Sequence, residues 1–79
     1  MDALPIRNNS GETLRVMLEP LAEIYDVPPG GKIVIRQVSS DGSDGFVVDY
    51  WPENFLAVWV PGEVVVEADG VVVPPVLNT

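Results

Sequence analysis

The residues of this sequence best able to do chemistry are its twelve carboxylates. The chain has no His and no Cys, which excludes Ser–His and Cys–His nucleophilic systems and the usual ligand sets of zinc, copper and haem. Two carboxylates could act as the acid and base of a glycosidase, but they must flank a cleft that holds a sugar ring. A domain of 79 residues offers little room for such a cleft, so we expect no enzymatic activity, no cofactor and no metal.

The polar segment "SDGSDG" at residues 40–45 raises the separate question of calcium. Counted from Asp41, it fails the EF-hand pattern, because Pro52 stands where the bidentate Glu belongs. A solvated hairpin loop is the ordinary outcome for such a sequence. An irregular calcium site built on Asp41 and Asp44 is the alternative.

Net charge restricts the partners that this chain can bind. The charge is −8, and no basic residue follows Arg36. Such a surface repels phosphate backbones, so we expect no direct binding to nucleic acid. The ordinary role of such a negative charge is to keep the protein soluble. The alternative is that the carboxylates form a candidate acidic surface, which fits a basic groove of a partner protein. That surface comprises Asp41, Asp44, Glu53, Glu63, Glu67 and Asp69, with Asp49 beside them.

The first residues, "MDALPIRNNSGE", contain neither the basic nor the apolar segment of a signal peptide. No apolar run approaches the ~20 residues that span a bilayer. We therefore expect a cytoplasmic protein that does not contact membranes.

The elements that must position these residues are β-strands throughout. Apolar residues alternate or run in short β-branched blocks, and Gly, Pro, Asn and Asp interrupt them at short intervals, which is the all-β pattern. The segment "LAEIYDV" is the one most open to a helical interpretation. We expect residues 1–79 to form a single small domain, a barrel or a two-sheet sandwich of seven or eight mostly antiparallel strands.

Two turns predict strand registers. Asp69–Gly70 is typical of a type I′ hairpin, in which both central residues have positive φ. The turn "PEN" at residues 52–54 suits a type I turn followed by a left-handed Asn54. The predicted cross-strand pairs are Ala68–Val71 and Glu67–Val72 in the first hairpin, and Trp51–Phe55, Tyr50–Leu56, Asp49–Ala57, Val48–Val58 and Val47–Trp59 in the second.

The second hairpin divides the aromatic residues between two faces. Phe46 and Tyr50 share a wholly apolar face, which we expect to be the core side. Because a buried, unpaired carboxylate is costly, the face that carries Asp49 should lie nearer to water. We call this second face the aromatic face: Val47, Asp49, Trp51, Phe55 and Trp59. Either other parts of the monomer cover it, or it is a contact surface for another protein.

One resemblance covers most of the chain. The segment "LRVMLEPLAEIYDVPPGGKIVI" and the later "VEADG" resemble small uncharacterised bacterial all-β proteins. The positions that carry this resemblance are Asn8, Glu19, Pro20, Tyr25, Pro29, Gly30, Asp69 and Gly70. It implies a fold and no activity. A looser likeness to cupin and cupredoxin strands ending in Pro-Gly implies no metal site here, because His and Cys ligands are absent.

Two functions follow as expectations. The leading one is a non-enzymatic protein–protein interaction domain, homodimeric through the aromatic face, since Trp is enriched among interface hot spots. The alternative is an acidic inhibitor or immunity-type protein that occupies a basic nucleic-acid-binding groove of its partner. This second function requires the carboxylates to share one face.

Overall fold

The computed structural model describes residues 2–42 and 45–78. These residues form nine β-strands and no helix, which confirms the all-β prediction and assigns most of "LAEIYDV" to a strand. The strands, in chain order, are β1 (Ala3–Arg7), β2 (Leu14–Glu19), β3 (Glu23–Val27), β4 (Lys32–Gln37), β5 (Val47–Trp51), β6 (Phe55–Trp59), β7 (Val64–Ala68), β8 (Val71–Val72) and β9 (Leu77–Asn78).

The strands form two sheets that do not close into a barrel. One sheet has the order β1-β4-β7-β8 and the other the order β5-β6-β2-β3-β9. The pairings are antiparallel except for that of β2 with β6, which is parallel. The two-residue β9, which pairs with β3, carried no strand signal in the sequence.

The two sheets enclose one apolar core. Alternate residues are buried along strands such as β2 and β4, as the two-residue period of a β-strand requires. Burying a Val, Leu or Ile side chain stabilises the fold by about 1.5–3 kcal/mol, so this core is the main source of stability. Its buried members are Ile6, Leu14, Val16, Leu18, Tyr25, Val27, Ile33, Ile35, Val58, Val60 and Val66.

Both predicted hairpin registers are confirmed. Asp69 and Gly70 have φ values of 52° and 77°, as a type I′ turn requires. The predicted turn type of "PEN" is wrong, because Glu53 (φ 68°) as well as Asn54 (φ 59°) is left-handed, and a type I turn has negative φ at its second central residue. The Trp51–Pro52 peptide bond is trans, whereas Glu19–Pro20 is cis.

The prediction that the Val48 and Tyr50 side of β5 faces the core is wrong. Strand β5 is an edge strand that pairs with β6, and all five of its residues are exposed. Tyr50 is 70% exposed. The four-stranded sheet therefore does not cover β5. The core begins at the next strand, β6, and Phe46 still packs against it.

Candidate functional site

The aromatic face lies on the outer side of the five-stranded sheet. Trp51 is 56% exposed and Trp59 46% exposed, and Phe55 is half-buried. The described chain therefore leaves both indole rings in contact with solvent. The sequence left open whether the monomer covers this face, and the described residues leave its two tryptophans about half exposed.

Strand alternation explains why these side chains point outward. In β6, Val58 is fully buried in the core, so its neighbours Ala57 and Trp59 project from the opposite side. The parallel register of β2 with β6 sets Arg15, Met17 and Glu19 beside Phe55, Ala57 and Trp59, respectively. Strand β2 therefore contributes to the same face.

The outer face is ordered in three rows that run across the strands. The first row is Trp51, Phe55, Arg15 and Asp26; the middle row is Asp49, Ala57, Met17, Ile24 and Leu77; the third row is Val47, Trp59 and Glu19. Trp59 in the third row comes four positions after Phe55 in the first row, which is about 13 Å along the strand. Large aromatic side chains thus stand at both ends of the face, with the small Ala57 between them.

Two polar contacts hold side chains of this face in place. The Arg15 guanidinium donates to Asp26, with Nε to Oδ1 at 3.1 Å. This hydrogen bond and the charge of Asp26 raise the pKa of Arg15. At the other end, the Trp59 indole Nε1–H donates to Oδ2 of Asp49 at 3.3 Å. The indole is therefore oriented by a carboxylate of the neighbouring strand.

The sequence analysis did not identify the residues that β2, β3 and β9 add to this face. They are Arg15, Met17, Glu19, Ile24, Asp26 and Leu77. The register of the "PEN" hairpin follows from a turn, but the parallel pairing of β2 with β6 joins segments far apart in the chain and has no local signal. The alternation of Arg15, Met17 and Glu19 along β2 was the one hint that they point outward.

The residues of the candidate acidic surface are divided between the two sheets. Glu53 lies in the β5–β6 turn of the five-stranded sheet, whereas Glu67 lies on β7 of the four-stranded sheet. Glu67 also accepts from the Arg36 guanidinium, Nη2 to Oε1 at 3.2 Å. Glu63 precedes β7, Asp69 follows it, and Asp41 lies in the loop after β4, while Asp44 lies outside the described residues. The structure does not bring this set onto one face.

In residues 2–42 and 45–78, no group of three or more acidic side chains is arranged to hold a metal ion. The calcium alternative at "SDGSDG" involves Asp44, which is not among these residues. Across the same residues, no helix has the length and apolar character needed to traverse a membrane.

Comparison with protein-family models, with curated proteins and with solved structures finds no match for this chain. The resemblance to small bacterial all-β proteins stays a prediction. Function is therefore inferred from the geometry of the chain itself.

Proposed function

We propose that this protein is a non-enzymatic protein–protein contact domain, and that its aromatic face binds a second copy of the chain. The observation that carries the proposal is the exposure of Trp51 and Trp59 on one face of one sheet. Soluble monomers seldom expose a large contiguous apolar patch that has no use, and Trp side chains are enriched among the residues that dominate binding energy. The scaffold that we infer for this role is a two-sheet sandwich.

The size of the chain is compatible with a stable dimer. A standard interface buries about 800 Å² on each partner, which is about a sixth of the 4832 Å² of accessible surface. A fully buried aromatic residue contributes about 150–250 Å², and Trp51 and Trp59 are each about half exposed, so the two together can supply roughly 200 Å² of that area. Aromatic rings also lose little conformational entropy when they are fixed at an interface.

The acidic-inhibitor alternative stays a prediction. It requires carboxylates that together imitate a nucleic-acid backbone, whereas the described members of the candidate acidic surface lie on different sheets and Glu67 is neutralised by Arg36. A second copy of the chain is favoured as the partner because the aromatic face is largely apolar and the base beside it on β2, Arg15, is already paired with Asp26.

Sedimentation equilibrium of three proteins tests the proposed function. These are the wild type, the double variant Trp51→Ser/Trp59→Ser, and the control Val71→Ser/Val72→Ser, which removes two exposed apolar residues of the four-stranded sheet. We expect the wild type and the control to dimerise with similar affinity. Loss of both indoles should raise the dimer Kd by more than about thirty-fold, which is the effect of losing a single hot spot worth about 2 kcal/mol.

Tryptophan fluorescence supplies a second readout of the wild type, whose emission should shift to shorter wavelength as concentration rises and the indoles leave water. A wild type that stays monomeric into the millimolar range would overturn the proposed function. So would a tryptophan double variant that dimerises as the wild type does. Circular dichroism of each variant checks that the fold is retained.

A further inference from the structure

The charged residues of strand β2 make the two ends of the outer face chemically different. Strand β2 is the central strand of the five, and its outward side chains run from the cation Arg15 through Met17 to the anion Glu19. When a copy of the sheet is stacked on this face about a two-fold axis that lies in the plane of contact and passes through the middle of β2, β2 lies over β2 of the copy. The charges of β2 therefore distinguish the possible stacks.

Two stacks keep the two-fold symmetry that most homodimers have. If the axis runs along the strands, the copies point in the same direction, and Arg15 lies over Arg15 of the copy and Glu19 over Glu19. If the axis runs across the strands, the copies are reversed, and Arg15 lies over Glu19 at two equivalent places. Because these charges lie at the centre of the contact and lose water there, like-charge placement is strongly disfavoured.

The aromatic rows agree with the reversed stack. Reversal exchanges the first and third rows, so Phe55 lies over Trp59 of the copy, and Trp51 lies over Val47. Ala57 of the middle row lies over its own copy, and this small side chain leaves room for the aromatic rings on either side. Packed sheets lie about 10 Å apart, which is the distance that such interleaved side chains fill.

The reversed stack has one unfavourable pair, Asp49 over Asp49 of the copy. Asp49 belongs to the edge strand β5, so this pair lies at the rim, where water screens charge. Its carboxylate is also bound by the Trp59 indole Nε1–H. The reversed stack therefore contains one screened like-charge pair at the rim. The same-direction stack contains two like-charge pairs at the centre, so the reversed stack is favoured.

We infer that two copies of this chain dock through the outer face of the five-stranded sheet with their strands reversed, and that Arg15 and Glu19 set this orientation by pairing across the interface. This inference rests on the proposed function, since it specifies the geometry of the same contact. The Asp26 carboxylate holds the Arg15 guanidinium toward β3, so in the reversed stack Arg15 lies between Asp26 of its own chain and Glu19 of the copy.

Charge reversal at Glu19 is the decisive experiment. In the reversed stack, Glu19→Arg places Arg over Arg15 at both sites and should raise the dimer Kd at least about tenfold. In the same-direction stack it replaces one like-charge pair by another and should leave Kd unchanged. The matched control is Glu63→Arg, which makes the same change in net charge at an exposed position outside the face and should dimerise as the wild type does.

A mixing experiment separates loss of pairing from loss of folding. The variant Arg15→Glu should also dimerise poorly alone, because it places Glu over Glu19. Mixed with Glu19→Arg, it should form a 1:1 heterodimer of near wild-type affinity, visible by light scattering and native mass spectrometry. Both variants should keep the wild-type circular dichroism spectrum.

The outcomes distinguish the two proposals. A monomeric wild type would overturn the proposed function and this inference with it. A wild type that dimerises through its tryptophans, combined with a Glu19→Arg variant of unchanged Kd, would overturn the reversed orientation and leave the proposed function standing. Failure of the mixture to recover affinity would likewise overturn the pairing of Arg15 with Glu19.

Discussion

Asn8 is the buried polar side chain of the described residues, with 3% of its surface exposed. Its Nδ2 donates to the carbonyl oxygens of Glu12 and Val27 at 2.7 and 2.9 Å, and its Oδ1 accepts from the Ser10 backbone N–H at 3.0 Å. One amide thus ties the end of β1 to the segment before β2 and to the end of β3. Such a site accepts few other side chains, because each lost bond leaves a buried group unpaired.

The variant Asn8→Asp tests this role with almost no change in shape. The carboxylate cannot donate, and it faces two carbonyl oxygens, so we expect a loss of about 2–4 kcal/mol in the free energy of unfolding at neutral pH. Urea unfolding measures the loss. Asn9→Asp makes the same change at the exposed neighbouring position and should alter stability by less than about 0.5 kcal/mol. Equal effects of the two variants would contradict the assigned role.

Tyr25 links stability to alkaline pH. Burial, followed by the charge of Glu23 and the hydrogen bond from the Tyr25 hydroxyl to Glu23 Oε1 at 3.3 Å, raises the pKa of Tyr25 to about 12. The ordinary value is about 10, so the neutral form is favoured in the folded state. The stabilisation from this group is complete below about pH 10 and is lost as pH rises through 12, because the unfolded chain ionises first.

We therefore expect the free energy of unfolding to fall between about pH 10 and 12 more steeply in the wild type than in Tyr25→Phe, which has no ionisable group at this position. Urea unfolding at fixed pH steps measures the difference. The chain has two tyrosines, so Tyr50→Phe isolates the tyrosinate absorbance of Tyr25. An absorbance midpoint near pH 10 would show this prediction to be wrong.

At the level of elements, local chemistry determined what the sequence could predict. The registers around Asp69–Gly70 and "PEN" were predictable because a tight turn fixes the pairing of the strands on either side. Three features were not predictable: the parallel pairing of β2 with β6, the short β9, and the exposure of Tyr50. Each depends on which strands meet across the molecule, and Val48 and Tyr50 have the same apolar pattern whether or not a second sheet covers them.

The corner between β6 and β7 depends on a glycine. Gly62 has φ 136°, and a Cβ at this position would overlap the carbonyl oxygen of Ser39 and lie 3.0 Å from the Asp41 backbone nitrogen. Asp41 N–H donates to the Pro61 carbonyl oxygen at 2.9 Å, so the loop after β4 is bound to this corner and cannot move away freely. The dipeptide Pro61–Gly62 is typical of a turn, but nothing local in the sequence indicates this contact.

We expect Gly62→Ala to lower the free energy of unfolding by about 3 kcal/mol or more, from unfavourable φ and from displacement of the loop. Gly70→Ala is the matched control, since φ is 77° and no atom lies within 4 Å of the added Cβ. It should lose only the conformational part, about 1–2 kcal/mol. Thermal unfolding of both variants compares the two, and equal losses would contradict a steric origin.

At the scale of the whole molecule, the basic residues are unevenly distributed between the two outer surfaces. Three of the four basic residues, Arg7, Lys32 and Arg36, project from the outer side of the four-stranded sheet, opposite the aromatic face. The surface proposed for dimerisation carries three carboxylates (Glu19, Asp26 and Asp49) and one base, Arg15, in a chain with net charge −8. Two copies that approach through it repel one another at long range.

Added salt should consequently strengthen the dimer. Raising the salt concentration from about 0.05 to 0.5 M shortens the Debye length from above 10 Å to below 8 Å, which screens repulsion between the subunits more than it weakens the central Arg15–Glu19 pairs. We expect Kd to fall several-fold in sedimentation equilibrium across this range. A Kd that rises with salt would contradict this prediction and indicate that the Arg15–Glu19 pairs, not the repulsion between acidic subunits, dominate the salt dependence of the dimer.

The parallel pairing of β2 with β6 also sets a sequence of events during synthesis. Trp59 of β6 lies 40 residues (59 − 19) after its partner Glu19, and translation at about 5–20 residues per second needs roughly 2–8 s to cover that distance. During this interval β2 has only the hairpin with β3, and an isolated hairpin is marginally stable. Until β6 has left the ribosome, β2 therefore lacks one of the two strands that flank it in the folded sheet.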